Sequence, residues 1–328
     1  QPAESRGGEE RPASWPPHAW DQPPRLANLI HAQMSPLTED WGWSSPGVSG
    51  YLLIMASDGK SPVWWASGSD PEMLEASERA RETFRYFWRE MTWEARRIIK
   101  GCDLADVKAP FADTDDPAPD DPVEHMWVAD VGFDGRTVTG VLLNEPNWLK
   151  TLHAESEVEL PLERISDWMY AQRGRVYGAY TVNLLRGRMP APERMQHDDA
   201  WGLDFGDPGD IELVPPVSAP RKQGFFSKMF SPQAPPAPGD PESEHPMCLN
   251  MVAAYRDQLQ QDASPVHVLD ELGWTQVHVH ALGGNAPIVK LLLEFGADAE
   301  ARTPDGRTAR DLATSLGWAN VIAALDGA

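Results

Sequence analysis

Glu124 and His125, one residue short of Trp127, set a carboxylate beside an imidazole, a pairing that tunes a ring nitrogen for acid–base transfer near neutral pH. Consecutive residues of a strand point to opposite faces, so closeness in sequence does not make the two cooperate. Asp167, next to Trp168, can serve similar chemistry or accept hydrogen bonds from backbone N–H groups of its own loop. Together Glu124, His125, Trp127, Asn144, Asp167, Trp168 and Tyr180 form a polar-aromatic set that would line a pocket if the fold gathers it. Such residues are more often structural than catalytic, and none is assigned a catalytic role.

Other reactive types are placed less favourably. His267, His278 and His280 offer imidazoles without a zinc-ligand spacing, and the aspartates at 113, 115, 116, 120 and 121 do not follow a calcium-loop pattern. Phosphate-binding and dinucleotide loops are absent, as is a Gly-x-Ser-x-Gly elbow. Cys102 follows Gly101 at an expected helix end, where the dipole disfavours a thiolate. The expectation is a chain without cofactor or metal, and the balance leans against an enzyme. Cys102 and Cys248 are too few for a disulfide scaffold.

The 28 Lys and Arg face 50 Asp and Glu, a net charge of −22 that repels a phosphate backbone and excludes nucleic acid as a partner. A basic protein is the favoured class of partner instead. No apolar run is long enough to cross a membrane. The expected compartment is the cytoplasm, or the periplasm if a leader precedes Gln1.

The elements that must position these groups follow from spacing. Residues 1–44 read as a disordered or Pro-rich arm with one short helix at 25–33, and residues 50–56 and 62–66 as short strands. Asp70 and Pro71 open the strongest helix. Its apolar face runs Met73, Ala76, Ala80, Phe84, Phe87, Met91, Ala95 and Ile98, with Arg85 and Arg89 on the polar side and Gly101 as a left-handed stop. Asp134-Gly135 between alternating segments signals a hairpin of 126–133 with 136–144. Further strands are expected at 157–160, 165–170 and 176–184. The fold class is α+β over residues 45–214, a long helix packed on a mainly antiparallel sheet. A Pro-rich linker at 215–246 follows, carrying the apolar segment 224–230, and then a short all-α stack at 247–328.

That stack rests on a repeat. Gly273, Thr275, His278, Gly284 and Val289 recur 33 positions later as Gly306, Thr308, Asp311, Gly317 and Ile322. Gly273-Trp274-Thr275-Gln276-Val277-His278, residues 288–298 and Asp305-Gly306-Arg307-Thr308-Ala309 resemble ankyrin repeats, with Gln276 and Val277 departing from the motif. Two clear repeats follow a degenerate N-terminal cap built around Cys248, Val252, Tyr255 and Leu259. The resemblance implies protein binding through turn tips, here Arg302, Thr303, Pro304 and Arg307, with Val266 and His267 one unit earlier. It also implies a structural role for His278.

Residues of about 70–190 resemble the YegJ-like bacterial family. The likeness rests on residues 76–83, Val107-Lys108-Ala109-Pro110-Phe111, Glu124-His125-Met126-Trp127-Val128, residues 140–146, Ile165-Ser166-Asp167-Trp168-Met169-Tyr170 and Gly178-Ala179-Tyr180-Thr181. It implies an α+β domain and no particular reaction. The leading expectation is a non-enzymatic protein-interaction protein, with a toxin-neutralising, immunity-like role as its specific form. An enzyme or small-ligand receptor with its site in the α+β domain is the alternative. A scaffold whose repeats cap the first domain is the third reading.

Overall fold

The computed structural model describes residues 70–114, 123–216 and 239–327. The expected arm, the helix at 25–33, the strands at 50–56 and 62–66 and the segment 224–230 lie outside these residues.

Helix α1 (Pro71–Glu94) begins as its sequence dictates: the Asp70 side chain accepts from the Glu72 N–H at 3.1 Å, and proline fills the first turn. Its end departs from the spacing. The helix stops at Glu94 rather than near Ile98, which is 96% exposed, and Gly101 has no left-handed backbone. Glu94 is the cause, since its Oε1 accepts from the N–H groups of Gly101 at 2.7 Å and Cys102 at 3.1 Å and folds the chain back over the helix end. Arg89 also leaves the expected polar side. It is buried, donating to the carbonyls of Ser243 and Pro241 at 3.1 and 3.0 Å.

The sheet is antiparallel throughout, in the order β4-β3-β2-β1-β5-β6. Its strands are β1 (Leu104–Phe111), β2 (Glu124–Phe133), β3 (Thr137–Leu142), β4 (Glu157–Pro161), β5 (Asp167–Gln172) and β6 (Arg175–Gly178). The β2–β3 hairpin turns at Asp134-Gly135, where Asp134 Oδ1 accepts from the N–H groups of Arg136 at 2.8 Å and Thr137 at 2.7 Å. The strand expected at 176–184 ends at Gly178. Gly178 and Ala179 take φ of 78° and 58°, and the chain turns into helix α2 (Tyr180–Arg188), followed by α3 (Ala191–Trp201).

Alternation along the strands separates two cores. On one side Phe84 and Phe87 of α1 meet Phe133 and Trp168, with ring centroids 5.1 and 5.9 Å apart. On the other, Trp127, Met169, Ala171 and Val176 gather with Val182 of α2 and Phe205.

Helices α4 (Pro246–Gln261), α5 (Gln276–Leu282), α6 (Ala286–Glu294), α7 (Ala309–Ser315) and α8 (Ala319–Asp326) complete the chain. Gln276 and Ala309 stand 33 positions apart, as do Ala286 and Ala319, so the period seen in the sequence is a repeated helix pair. Each pair opens on a reciprocal cap, Thr275 with His278 and Thr308 with Asp311. The stretch expected as a tether spans little distance. A Cβ on Gly239 would run into the backbone carbonyls of Val214 and Pro215, so the described residues 214–215 and 239 lie against each other.

Candidate functional site

The helix pairs sit directly against the α+β domain. Trp93 of α1 donates from Nε1 to Asn285 Oδ1 at 2.8 Å and stacks on His245 at 5.6 Å. One period after Asn285, Trp318 meets Tyr86 edge-on at 6.0 Å, and Arg85 donates to the Gly317 carbonyl at 3.0 Å. The turn inside each helix pair therefore rests on α1. The β2–β3 hairpin closes the contact from a second direction. A Cβ on Gly135 would lie 2.8 Å from Arg307 Nη1 and 3.0 Å from Leu312 Cδ2. One continuous apolar cluster runs from Phe84 and Trp168 through Trp93 to Leu282 and Trp318.

This docking revises the tip residues. Arg302, Pro304 and His267 are exposed. Val266, Thr303 and Arg307 are buried and are withdrawn from a free binding surface. Arg307 pairs with Asp305 at 2.6 Å and with Asp134 of the hairpin at 3.5 Å, while Thr303 accepts from the Arg307 N–H at 3.0 Å. His278 is held at both ring nitrogens. Nδ1 accepts from the Thr275 N–H at 3.1 Å, and Nε2 lies 2.9 Å from the Ala301 carbonyl.

At the same junction Glu90, Glu94 and Cys102 bring three metal-ligand atoms together. Their geometry serves ion pairing instead. Arg97 reaches Glu90 at 2.9 Å and Glu94 at 2.6 Å, His245 Nε2 reaches Glu90 at 2.9 Å, and Gln172 donates to Glu90 at 2.6 Å. Burial pulls the Glu90 carboxyl up, but His245, Arg97 and Gln172 outweigh it and hold the pKa below the usual value. Burial pushes the Cys102 thiol up, away from a metal-binding thiolate.

The polar-aromatic set divides between the two sides of the sheet. Trp168 faces α1, donating from Nε1 to the Ala80 carbonyl at 2.8 Å, and Tyr180 lies edge-on to it at 6.1 Å. Glu124 alternates with His125 and holds a loop, accepting from the Asn147 and Trp148 N–H groups. Asn144 is half-buried in the bend after β3. His125, Trp127 and Asp167 share the other side. Asp167 is fully buried and accepts from the N–H groups of Trp168, Tyr180 and Thr181 and from the Thr181 hydroxyl at 2.6–2.9 Å. Its charge sits at the start of α2, where the helix dipole favours an anion.

Only His125 of the seven lines the cleft nearby, a space of about 30 Å³ bounded also by Met73, Ser77, Lys108, Ser166, Thr181 and Leu185. Lys108 is the residue that sequence reasoning missed. It lies cross-strand from both Trp127 and Asp167, and its Nζ stands 5.6 Å from the Trp127 ring centroid. Burial lowers its pKa, with Asp167 acting in the opposite sense. His125, although exposed, is held down to about 4 by surrounding burial and the Lys108 charge, and its Nδ1 lies 3.1 Å from Ser166 Oγ. In the sequence Lys108 stands within the segment 107–111 that carries the family resemblance, and Asp106 two residues before it makes a charged alternation inside the apolar segment 104–111.

Comparison with known proteins places this arrangement. A protein of Neisseria meningitidis serogroup B (strain ATCC BAA-335 / MC58), named for ankyrin repeats, is 41% identical over 268 residues, covering 82% of this chain and 98% of the relative. The chain belongs to that protein's family. Residues 70–205 of this chain match the bacterial family described as "Uncharacterized protein conserved in bacteria (DUF2314)". The uncharacterized protein YegJ of Escherichia coli K12 is 33% identical over 94 residues, 29% of this chain and 58% of YegJ. Human protein phosphatase 1 regulatory subunit 27 is 28% identical over 138 residues, 42% of this chain and 84% of the subunit.

Proposed function

We propose that this chain is a non-enzymatic protein-interaction protein whose ankyrin-type stack grips its own α+β domain and offers the joined surface to a second protein. The observation that carries this reading is the seating of Asn285 and Trp318, one repeat apart, on α1. Repeat stacks bind through a row of equivalent positions, and here part of that row is occupied from within the chain. What is left for a partner is the exposed end of the tips, Arg302, Pro304 and His267. The names of the relatives, an ankyrin repeat protein and a phosphatase regulatory subunit, fit an interaction role.

The net charge of −22 favours a basic partner, as a toxin-neutralising role would require. Affinity capture with the full chain from native extract at low salt is expected to recover a basic protein that about 0.5 M salt releases. His267→Lys combined with Pro304→Lys, which sets positive charge at the exposed tips against a basic partner, is expected to lose it while the fold is retained. Recovery of no protein at low salt overturns the interaction reading, and full retention by the double variant moves the surface away from the tips.

The small-ligand alternative keeps one specific support, the cleft at Lys108. At about 30 Å³ it is an order of magnitude below the usual enclosure for a drug-sized ligand, so it does not house a large substrate.

A further inference from the structure

Lys108 poses a problem that the interaction role does not answer. Its residue is 9% exposed on the central strand, yet no hydrogen bond to Nζ is present among the described residues. The opposing carboxylate does not supply one. Both oxygens of Asp167 are taken by three backbone N–H groups and the Thr181 hydroxyl, which disperse its charge into the start of α2. The described neighbours of the ammonium are the Trp127 ring and the Asp167 charge, so its N–H donors are open to a ligand that enters the cleft. The cleft runs alongside it. Ser77 and Ser166 bring hydroxyl groups to its wall, and Met73 and Leu185 make an apolar wall beside them.

We propose that the cleft is a binding site for the carboxylate group of a short-chain monocarboxylate, with Lys108 as the charged donor and Ser77 as the hydroxyl donor. The space of about 30 Å³ accepts a group of the size of one or two waters, which suits a carboxylate head and excludes larger anions such as nucleotides. A carboxylate brings two acceptor oxygens and a second negative charge to Lys108, and charge-assisted hydrogen bonds of this kind are the strong ones. The short alkyl chain is matched by Met73 and Leu185. His125 Nδ1 lies 3.1 Å from Ser166 Oγ, whose hydroxyl donates to the Lys108 carbonyl at 3.2 Å, so this pair braces the strand beside the cleft and takes no part in the charge balance.

The test uses the full chain labelled with ¹³C at lysine Cε and titrated with sodium acetate against sodium chloride at constant ionic strength. One lysine signal, absent from Lys108→Met, is expected to move saturably with acetate and not with chloride. Ser77→Ala is expected to weaken the apparent affinity at least about threefold, as loss of one hydrogen bond to a charged ligand requires. Lys108→Arg, which keeps the charge but not the compact ammonium, is expected to bind at least about tenfold more weakly. The proposal is overturned if the Lys108 signal does not saturate, if chloride reproduces its shift, or if Lys108→Met binds acetate undiminished. Should Lys108→Met fail to fold, an unchanged acetate affinity in Ser77→Ala overturns it equally.

Discussion

At the residue scale the central strand carries charges that an apolar core would exclude. Asp106 is 4% exposed, and burial, with the nearby Asp130 charge adding to it, raises its pKa from 3.8 to about 7. Between those two values the folded chain holds a proton that the unfolded chain has released. The contribution of Asp106 to stability is therefore present below about pH 4 and lost as pH rises through 7. Asp106→Asn removes this penalty, and urea unfolding is expected to show it more stable than the parent at pH 8, by up to about 4 kcal/mol, and nearly equal at pH 4. Burial raises the Asp167 pKa as well, although the Thr181 hydroxyl, the Lys108 charge and the backbone N–H groups of Thr181 and Trp168 oppose it. Asp167→Ala orphans the N–H groups of Tyr180 and Thr181 at the start of α2 and of Trp168 in β5, and is expected to destabilise the chain by about 3 kcal/mol in the same assay. Of these groups the sequence makes Asp167 legible as a possible acceptor for loop N–H groups. Ser77, Lys108 and Ser166 each fall in a segment that carries the family resemblance, but they are far apart along the chain, so only the fold reveals that they share a wall.

At the element scale, local chemistry decides what can be read in advance. The Asp134-Gly135 turn and the Thr275 and Thr308 caps are legible because their hydrogen bonds close within a few residues. Strand β1 is not, since Asp106, Lys108 and Pro110 break its apolar run although its neighbours on both sides pair with it. The end of α1 is misread for a similar reason, because the side chain of Glu94 reaching Gly101 leaves no trace in periodicity. The same logic makes Gly284 informative. It has φ of 71°, and a Cβ there would lie within van der Waals overlap of the Trp318 indole, whose Nε1 donates to the Leu282 carbonyl at 3.0 Å. Gly284→Ala is expected to lower stability by about 2–4 kcal/mol, measured by thermal unfolding. Trp318→Ala is expected to cost about 3–5 kcal/mol and to disturb the tyrosine environment of α1 as well, because Tyr86 loses its aromatic neighbour.

At the scale of the whole molecule, the shared apolar cluster predicts one unfolding event rather than two. Far-ultraviolet ellipticity and tryptophan fluorescence are expected to report the same midpoint, and a chain cut short before Pro246 to melt well below the full chain. Two separate transitions would mean that the stack and the sheet stand independently. The closeness of Gly239 to Val214 and Pro215 has a further consequence. Residues 214–215 and 239 are held together by the described body of the protein itself, so their contact does not depend on the length of chain that joins them. Evolution can thus lengthen, shorten or rewrite residues 217–238 with little penalty to the body of the protein. A single proteolytic nick there should leave both fragments migrating together until a denaturant parts them.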